Sequence, residues 1–255
     1  MTKLRSSFLF FLLLLLCGSS CHNATEPGIT PPQPKFTSTT IPPMPIDHGI
    51  YADPGRDFIV LEWGADGTKQ TTGYLLFRSL DDTLGSDGLL KNKTQVGKIE
   101  SANQLSEPLD TIFVDSVGIK QYKTQYYYQV QAYNTSGTNI QTFSAPSAVG
   151  NFGLLPKPTQ NRPNSDGVAK EFLTFSWNDS DNGGNFQLIV RDANTKSIMW
   201  SSGPLFEFNA GTVSELYPAD GSAIALTPGQ PYQWRVKKIG NNQGSSSTWQ
   251  NFSVK

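Results

Sequence analysis

Beyond residue 46, apolar and polar residues alternate along most of this chain with the period of two that a half-buried β-strand requires. Ile59, Leu61 and Trp63 fall on one face of such a segment, and Leu173, Phe175 and Trp177 repeat the pattern in the second half. In the first half, Gly73 opens a strand over Tyr74–Ser79, and shorter strands follow at Thr94–Ile99 and Thr111–Val114. Tyr126–Asn134 makes the longest segment, and Ser144–Val149 the last strand of this half, with Pro146 at a bulge or edge where a missing donor is tolerated. In the second half, Asn182-Gly183-Gly184 forms a turn that leads to Phe186, Leu188 and Val190 on one face. Tyr232, Trp234 and Val236 line the next long strand, and Trp249, Phe252 and Val254 the last. Long amphipathic helices are missing from the pattern, so the chain reads as all-β.

The N-terminal pattern differs. Lys3 and Arg5 precede an apolar run from Phe8 to Leu16, followed by Gly18-Ser19-Ser20-Cys21. Charge, a short apolar stretch and small residues in that order describe a secretory signal peptide over residues 1–20, too short to span a membrane. A cysteine directly after small residues resembles the lipobox of bacterial lipoproteins, although Gly18 stands where an aliphatic residue is usual. That resemblance implies lipidation of Cys21, attachment to a membrane through the lipid, and residence at the bacterial outer membrane or cell surface. Residues 21–46 then read as a disordered tether, because Pro27, Pro31, Pro32, Pro34, Pro42, Pro43 and Pro45 sit among Thr and Ser. At about 3.1 Å per residue, roughly 25 such residues reach on the order of 70–80 Å at full stretch.

Two stretches point to a fold family. Tyr126-Tyr127-Tyr128-Gln129-Val130-Gln131-Ala132-Tyr133-Asn134 and Leu226-Thr227-Pro228-Gly229-Gln230-Pro231-Tyr232-Gln233-Trp234-Arg235-Val236 both resemble the E-to-F corner and F strand of a fibronectin type III domain. The resemblance implies two tandem immunoglobulin-like β-sandwiches, at 47–154 and 155–255, with Trp63 and Trp177 in their cores. It also implies a tyrosine corner, in which a hydroxyl near the start of strand F bonds back to upstream backbone. Tyr232 takes this role in the second domain and Tyr126 by position in the first, where Tyr122 is a rival. The joint at Leu154-Leu155-Pro156-Lys157-Pro158 places two leucines between the domains.

Charge and chemistry narrow the function. Twenty basic against 21 acidic residues give a net charge of −1, so no basic surplus exists to neutralise nucleic-acid phosphates. The only histidines are His22 and His48 and the only cysteines Cys17 and Cys21, which leaves no nucleophile–base pair and no zinc ligand set inside a domain. The chain therefore reads as non-catalytic and without cofactor. Asn178–Gly184 carries the oxygen side chains and glycines of a calcium loop but not its spacing, and such residues favour turns for conformational reasons alone.

What remains is recognition. Trp200 and Trp249 are the candidates for stacking on a sugar, and Tyr127 and Tyr133, facing outward from strand F, for a protein contact. The polar loop over 80–93 is longer than the fold needs, and such loops commonly carry binding. The leading expectation is a protein partner or adhesion, through exposed aromatics and the 80–93 loop forming one patch. Carbohydrate capture requires Trp200 or Trp249 flat and exposed, and a third reading is a spacer or scaffold.

Overall fold

The computed structural model describes residues 30–37, 47–64, 71–100, 111–118, 120–136, 139–170, 173–181, 183–207, 209–218 and 220–255. Cys21 and the apolar leader lie outside them. Seventeen strands are present among the described residues, arranged as two sandwiches with separate cores.

In the first sandwich, β1 (Ile50–Ala52), β2 (Ile59–Glu62) and β5 (Ile112–Asp115) form a three-stranded antiparallel sheet with β2 central. It faces a sheet of β4 (Thr94–Glu100), β3 (Gly73–Ser79) and β6 (Gln125–Ser136), whose far edge is shared by β7 (Asn139–Phe143) and β8 (Gly150–Leu154). The second sandwich repeats the plan. Its small sheet is β9 (Thr159–Arg162), β10 (Thr174–Asp179) and β14 (Gly211–Leu216). Its large sheet runs from β12 (Ile198–Ser201) and β13 (Leu205–Glu207) through β11 (Gly184–Asp192) to β15 (Pro231–Gly240), then β16 (Gln243–Ser246) and β17 (Gln250–Ser253). The architecture is all-β, two β-sandwiches in tandem.

The alternation becomes the core. Ile59, Leu61 and Trp63 pack with Tyr74, Leu76, Tyr128 and Val130, all at most 2% exposed. Leu173, Phe175 and Trp177 meet Phe186, Leu188, Trp234 and Phe252 in the second core. Phe175 touches Trp234 and Phe252 with ring centroids 5.1 and 5.5 Å apart, tilted and edge-to-face as aromatic quadrupoles prefer. In both sandwiches the tyrosine hydroxyl at the corner is bonded. Tyr126 Oη accepts from Gln121 N–H at 3.0 Å, and Tyr232 Oη from Thr227 N–H at 2.8 Å. Tyr122 turns outward to Asp57.

Three elements differ from the sequence reading. The last strand of the first sandwich is not Ser144–Val149 but the flanking β7 and β8. Pro146 has no donor, and the break is bridged by serines: Ala132 N–H donates to Ser144 Oγ and Val130 N–H to Ser147 Oγ, both at 3.0 Å. Ser247 serves Val236 the same way in the second sandwich. Residues 30–37, read as part of the tether, lie along the first sandwich. Phe36 bridges Trp63, and Thr37 N–H and Lys35 C=O bond Glu62 and Gly64. Prolines 31 and 34 are buried, so apolar contact outweighs the extended, solvated state their composition favours.

The joint is the third. Leu154 is buried in the first core, and the domains meet through backbone. β8 and β16 pair in parallel, with Gly153 N–H on Asn242 C=O and Leu155 N–H on Gly244 C=O, both at 2.9 Å. The two large sheets thereby become one of eleven strands. A Cβ at Gly244 would stand 3.1 Å from the Lys238 carbonyl oxygen, so this approach favours glycine.

Each sandwich also holds a buried ion cluster. Asp115 accepts from Arg78 and from the Tyr128 hydroxyl, with Lys120 Nζ 3.2 Å away. In the second sandwich both carboxylate oxygens of Asp179 accept from Lys238 Nζ, at 2.8 and 2.9 Å, and both side chains are at most 3% exposed. Removing one partner of such a pair leaves a buried charge unpaired. Asp179→Asn is expected to cost about 3–5 kcal/mol in urea unfolding, whereas Asp181→Asn, whose nearer partner Lys123 is exposed, should cost under about 1 kcal/mol.

Candidate functional site

The pairing of β8 with β16 leaves a cleft of about 720 Å³ between the sandwiches, walled on its open side by residues 33–37 and 47–52. Such a volume lies within the roughly 300–1,000 Å³ range of small-ligand sites. Phe36, Ile50, Val149, Phe152 and Ile239 supply apolar surface, and Lys35, Asn151, Asn242 and Gln243 line it with polar groups. Local sequence explains the wall. Phe36 pairs with Trp63 just past the end of β2, and Ile50 pairs with Leu61 within the same strand.

Near Ile50 stands Asp47. Its carboxylate meets the Arg235 guanidinium and, at 2.7 Å, Lys237 Nζ, so a residue preceding the first sandwich is ion-paired to strand β15 of the second. The Arg235 and Lys237 side chains are 3% and 13% exposed, and desolvation lowers the pKa of Lys237 against the pull of Asp47. Beside Asp47, the Tyr51 phenol is pushed up to about 12 by burial and by the carboxylates of Asp47 and Glu62. His48 faces Glu62 at 3.1 Å.

The row continues outward along β15. Arg235 lies over the Trp249 indole at 4.5 Å from the ring centroid, and Arg191 lies over the same ring at 3.7 Å. Arg191 Nε donates to Gln233 Oε1 at 2.9 Å. The result is a partly apolar groove whose end runs into a file of cations, an arrangement suited to holding a segment of another molecule.

The four aromatic residues expected to contact ligand fare differently. Trp200 is 9% exposed and packs edge-on against Tyr217 at 5.4 Å, so it is core, not a sugar platform. Trp249 is half-buried under its two guanidiniums. Tyr127 is half-buried between Ser79 and Asn151 on the neighbouring strands. Tyr133 is 1% exposed: it faces outward from the sandwich as its parity requires, but it lies across Gly73, where a Cβ would stand 2.2 Å from its hydroxyl oxygen.

The 80–93 loop completes that burial. Leu89 joins Tyr133, Leu75 and Phe77 in a small cluster, and Gln129 accepts from Leu90 N–H and donates to Gly88 C=O. The loop covers the outer sheet face, so Tyr133 and the loop do not form the exposed patch expected of them. At the Asn178–Gly184 turn, both Asp179 carboxylate oxygens accept from Lys238 Nζ.

No protein-family model matches this sequence, and no curated protein does. Among solved structures, it is similar to the FN1-FN3 domains of chicken CNTN1. That match has a TM-score of 0.31 at 13% identity and covers 83% of this chain. The chain spans 66% of the length of the CNTN1 chain, just under two thirds.

Asp47, Arg191, Arg235 and Lys237 escape sequence reasoning because Gln233, Arg235 and Lys237 simply alternate with the core residues Tyr232, Trp234 and Val236. Three polar residues in alternation look like an ordinary solvated face. Their only signal is that two of the three are cationic.

The Tyr51 shift predicts a pH dependence. Below its ordinary value of 10.0 the phenol is protonated folded or unfolded. Between pH 10 and about 12 only the unfolded chain ionises, so stability present below that window is lost as pH rises through it. In urea titrations across this window, Tyr51→Phe should lose stability less steeply than the natural protein.

Proposed function

We propose that this protein is a non-catalytic, lipid-anchored envelope protein of bacteria that holds a protein partner in the groove between its two sandwiches. The observation that carries this reading is the groove itself, lined by apolar side chains among polar ones, cationic at one end and framed by backbone pairing between β8 and β16. Pre-formed walls reduce the ordering cost of binding. The 80–93 loop offers less, since it is spent on covering Tyr133. Carbohydrate capture loses its main support, because Trp200 is buried and a sugar on Trp249 would compete with two guanidiniums.

The anchor is read from Cys21 and the leader before it. In this reading the lipid holds the protein at the outer membrane or cell surface.

Protease shaving of intact cells carrying a C-terminally tagged protein tests the address, with Cys21→Ala as the unanchored control. Loss of the tag from intact cells is expected for the natural protein, and protection until the outer membrane is opened would move the sandwiches to the periplasm. A photo-reactive side chain at Lys35, in the groove, should crosslink a protein partner in those cells, whereas one at Thr195, on an exposed turn, should not. Equal yields at the two positions, or none at Lys35, would reject the groove.

A further inference from the structure

The file of side chains that leaves the groove ends in a cation with no counter-ion. Lys237, Arg235 and Arg191 supply three positive charges, and Asp47 is the carboxylate that pairs with the first two. Arg191 meets only neutral groups and a like charge among the described residues: Gln233 Oε1 on its Nε, the Trp249 ring at 3.7 Å, and the neighbouring Arg235. Desolvation first, and Arg235 second, lower its pKa from the ordinary value. A half-buried charge is normally paired. The indole offsets part of the cost through its quadrupole, but it uses the face of the guanidinium and leaves the edge.

That edge is already aimed. Gln233 holds Nε in the sheet surface at 2.9 Å, while the Gln233 amide donates to Asn251 Oδ1 at 2.9 Å, so the glutamine is fixed from both ends. The two Nη groups are left for a partner, in the planar fork geometry that fits a carboxylate through two parallel N–H···O bonds. Asn251 is exposed beside them and keeps its own amide N–H groups.

We propose that Arg191 is the receptor for a carboxylate carried on an acidic segment of the protein partner, whose apolar residues occupy the adjoining groove. This rests on the groove reading above and specifies its chemistry. Protein is favoured over an acidic glycan by the same geometry, because a sugar needs an aromatic face and Trp249 already carries two guanidiniums. Arg191 itself sets the sign of the partner: among the described residues its guanidinium meets neutral groups and the like charge of Arg235, so the group that completes it is an anion.

The test uses the folded, nitrogen-labelled protein and two synthetic peptides, acetyl-Leu-Glu-Leu-Glu-amide and its counterpart with Gln for Glu. Amide and side-chain resonances of Arg191 Nε–H, Trp249 Nε1–H and Val149 are followed during titration. The Glu peptide is expected to shift all three and to bind at least about tenfold more tightly than the Gln peptide, the ratio that one charge-assisted hydrogen bond supplies. Arg191→Gln should bring the two affinities together while the core Trp234 resonance stays in place, and Arg191→Lys should restore part of the difference.

Equal affinities in the natural protein, or a Glu preference that survives Arg191→Gln, would overturn the carboxylate receptor. If both peptides shift Val149 equally, the groove reading stands and this inference falls. If the Glu peptide moves Arg191 and leaves Val149 unmoved, the receptor stands and the groove reading falls. Binding of neither peptide rejects both.

Discussion

Two backbone hydrogen bonds, Gly153 to Asn242 and Leu155 to Gly244, decide the shape of this molecule. They join the large sheets of the two sandwiches in parallel, and the other contacts between the domains gather around them. Their position dictates the rest. β8 is the edge strand of the first sandwich and β16 that of the second, so pairing them covers two edges that would otherwise offer unpaired N–H and C=O groups to any other strand. Contacts around the seam hold it. Gly55 N–H donates to Ser246 C=O at 2.9 Å, Ser245 Oγ to Pro156 C=O at 3.0 Å, and Lys157 Nζ meets Asp57 at 2.8 Å. The groove is the space such a seam leaves above it, because two twisted sheets joined at their edges cannot also close their flanks.

Asp47 ties a third segment to the seam. Its carboxylate faces two cations of β15 from a chain segment that belongs to the first sandwich, so the wall of the groove is attached to both domains. Exposed ion pairs contribute little to stability, but these cations are nearly buried, and the penalty for leaving them without Asp47 is larger than the attraction of the pair in water. The arrangement favours one interdomain geometry more than it stabilises either sandwich alone. Arg191 lies beyond the reach of Asp47 and gains only an indole and an amide. This asymmetry across the paired strands β11 and β15 separates the half of the file that Asp47 pairs, on β15, from Arg191 on β11.

Most of the sandwich could be read from periodicity, since Ile59-Leu61-Trp63 and Leu173-Phe175-Trp177 bury the faces their alternation predicts. The strands over 73–79, 94–100, 112–115 and 125–136 fall within a residue or two of their expected bounds. The limits are as instructive. Parity placed Tyr133 on the outer face, correctly, but parity says nothing about a loop folding over that face, and Leu89 with Gly73 makes the outer position a second small core. Trp200 was open because a tryptophan on a short edge strand satisfies a core and a platform equally well in sequence. The final strand of the first sandwich was misplaced because Ser-x-Pro-Ser reads as strand, whereas its serine hydroxyls replace ladder bonds across a break.

The groove had no counterpart in the sequence, and the reason is physical. Its lining comes from residues 33–37, 47–52, 148–152 and 237–246, segments brought together by the β8–β16 seam rather than by spacing within any one strand. Periodicity reports which face of a strand is buried in its own sandwich. It carries no term for what lies beyond the sandwich edge, where two domains meet. With the 80–93 loop committed to covering Tyr133, the cleft at that meeting place keeps an open apolar lining, and Arg191 and Asn251 stand near its cationic end. In the proposed reading, recognition is therefore a property of the pair of domains, created by the hydrogen bonds that join them.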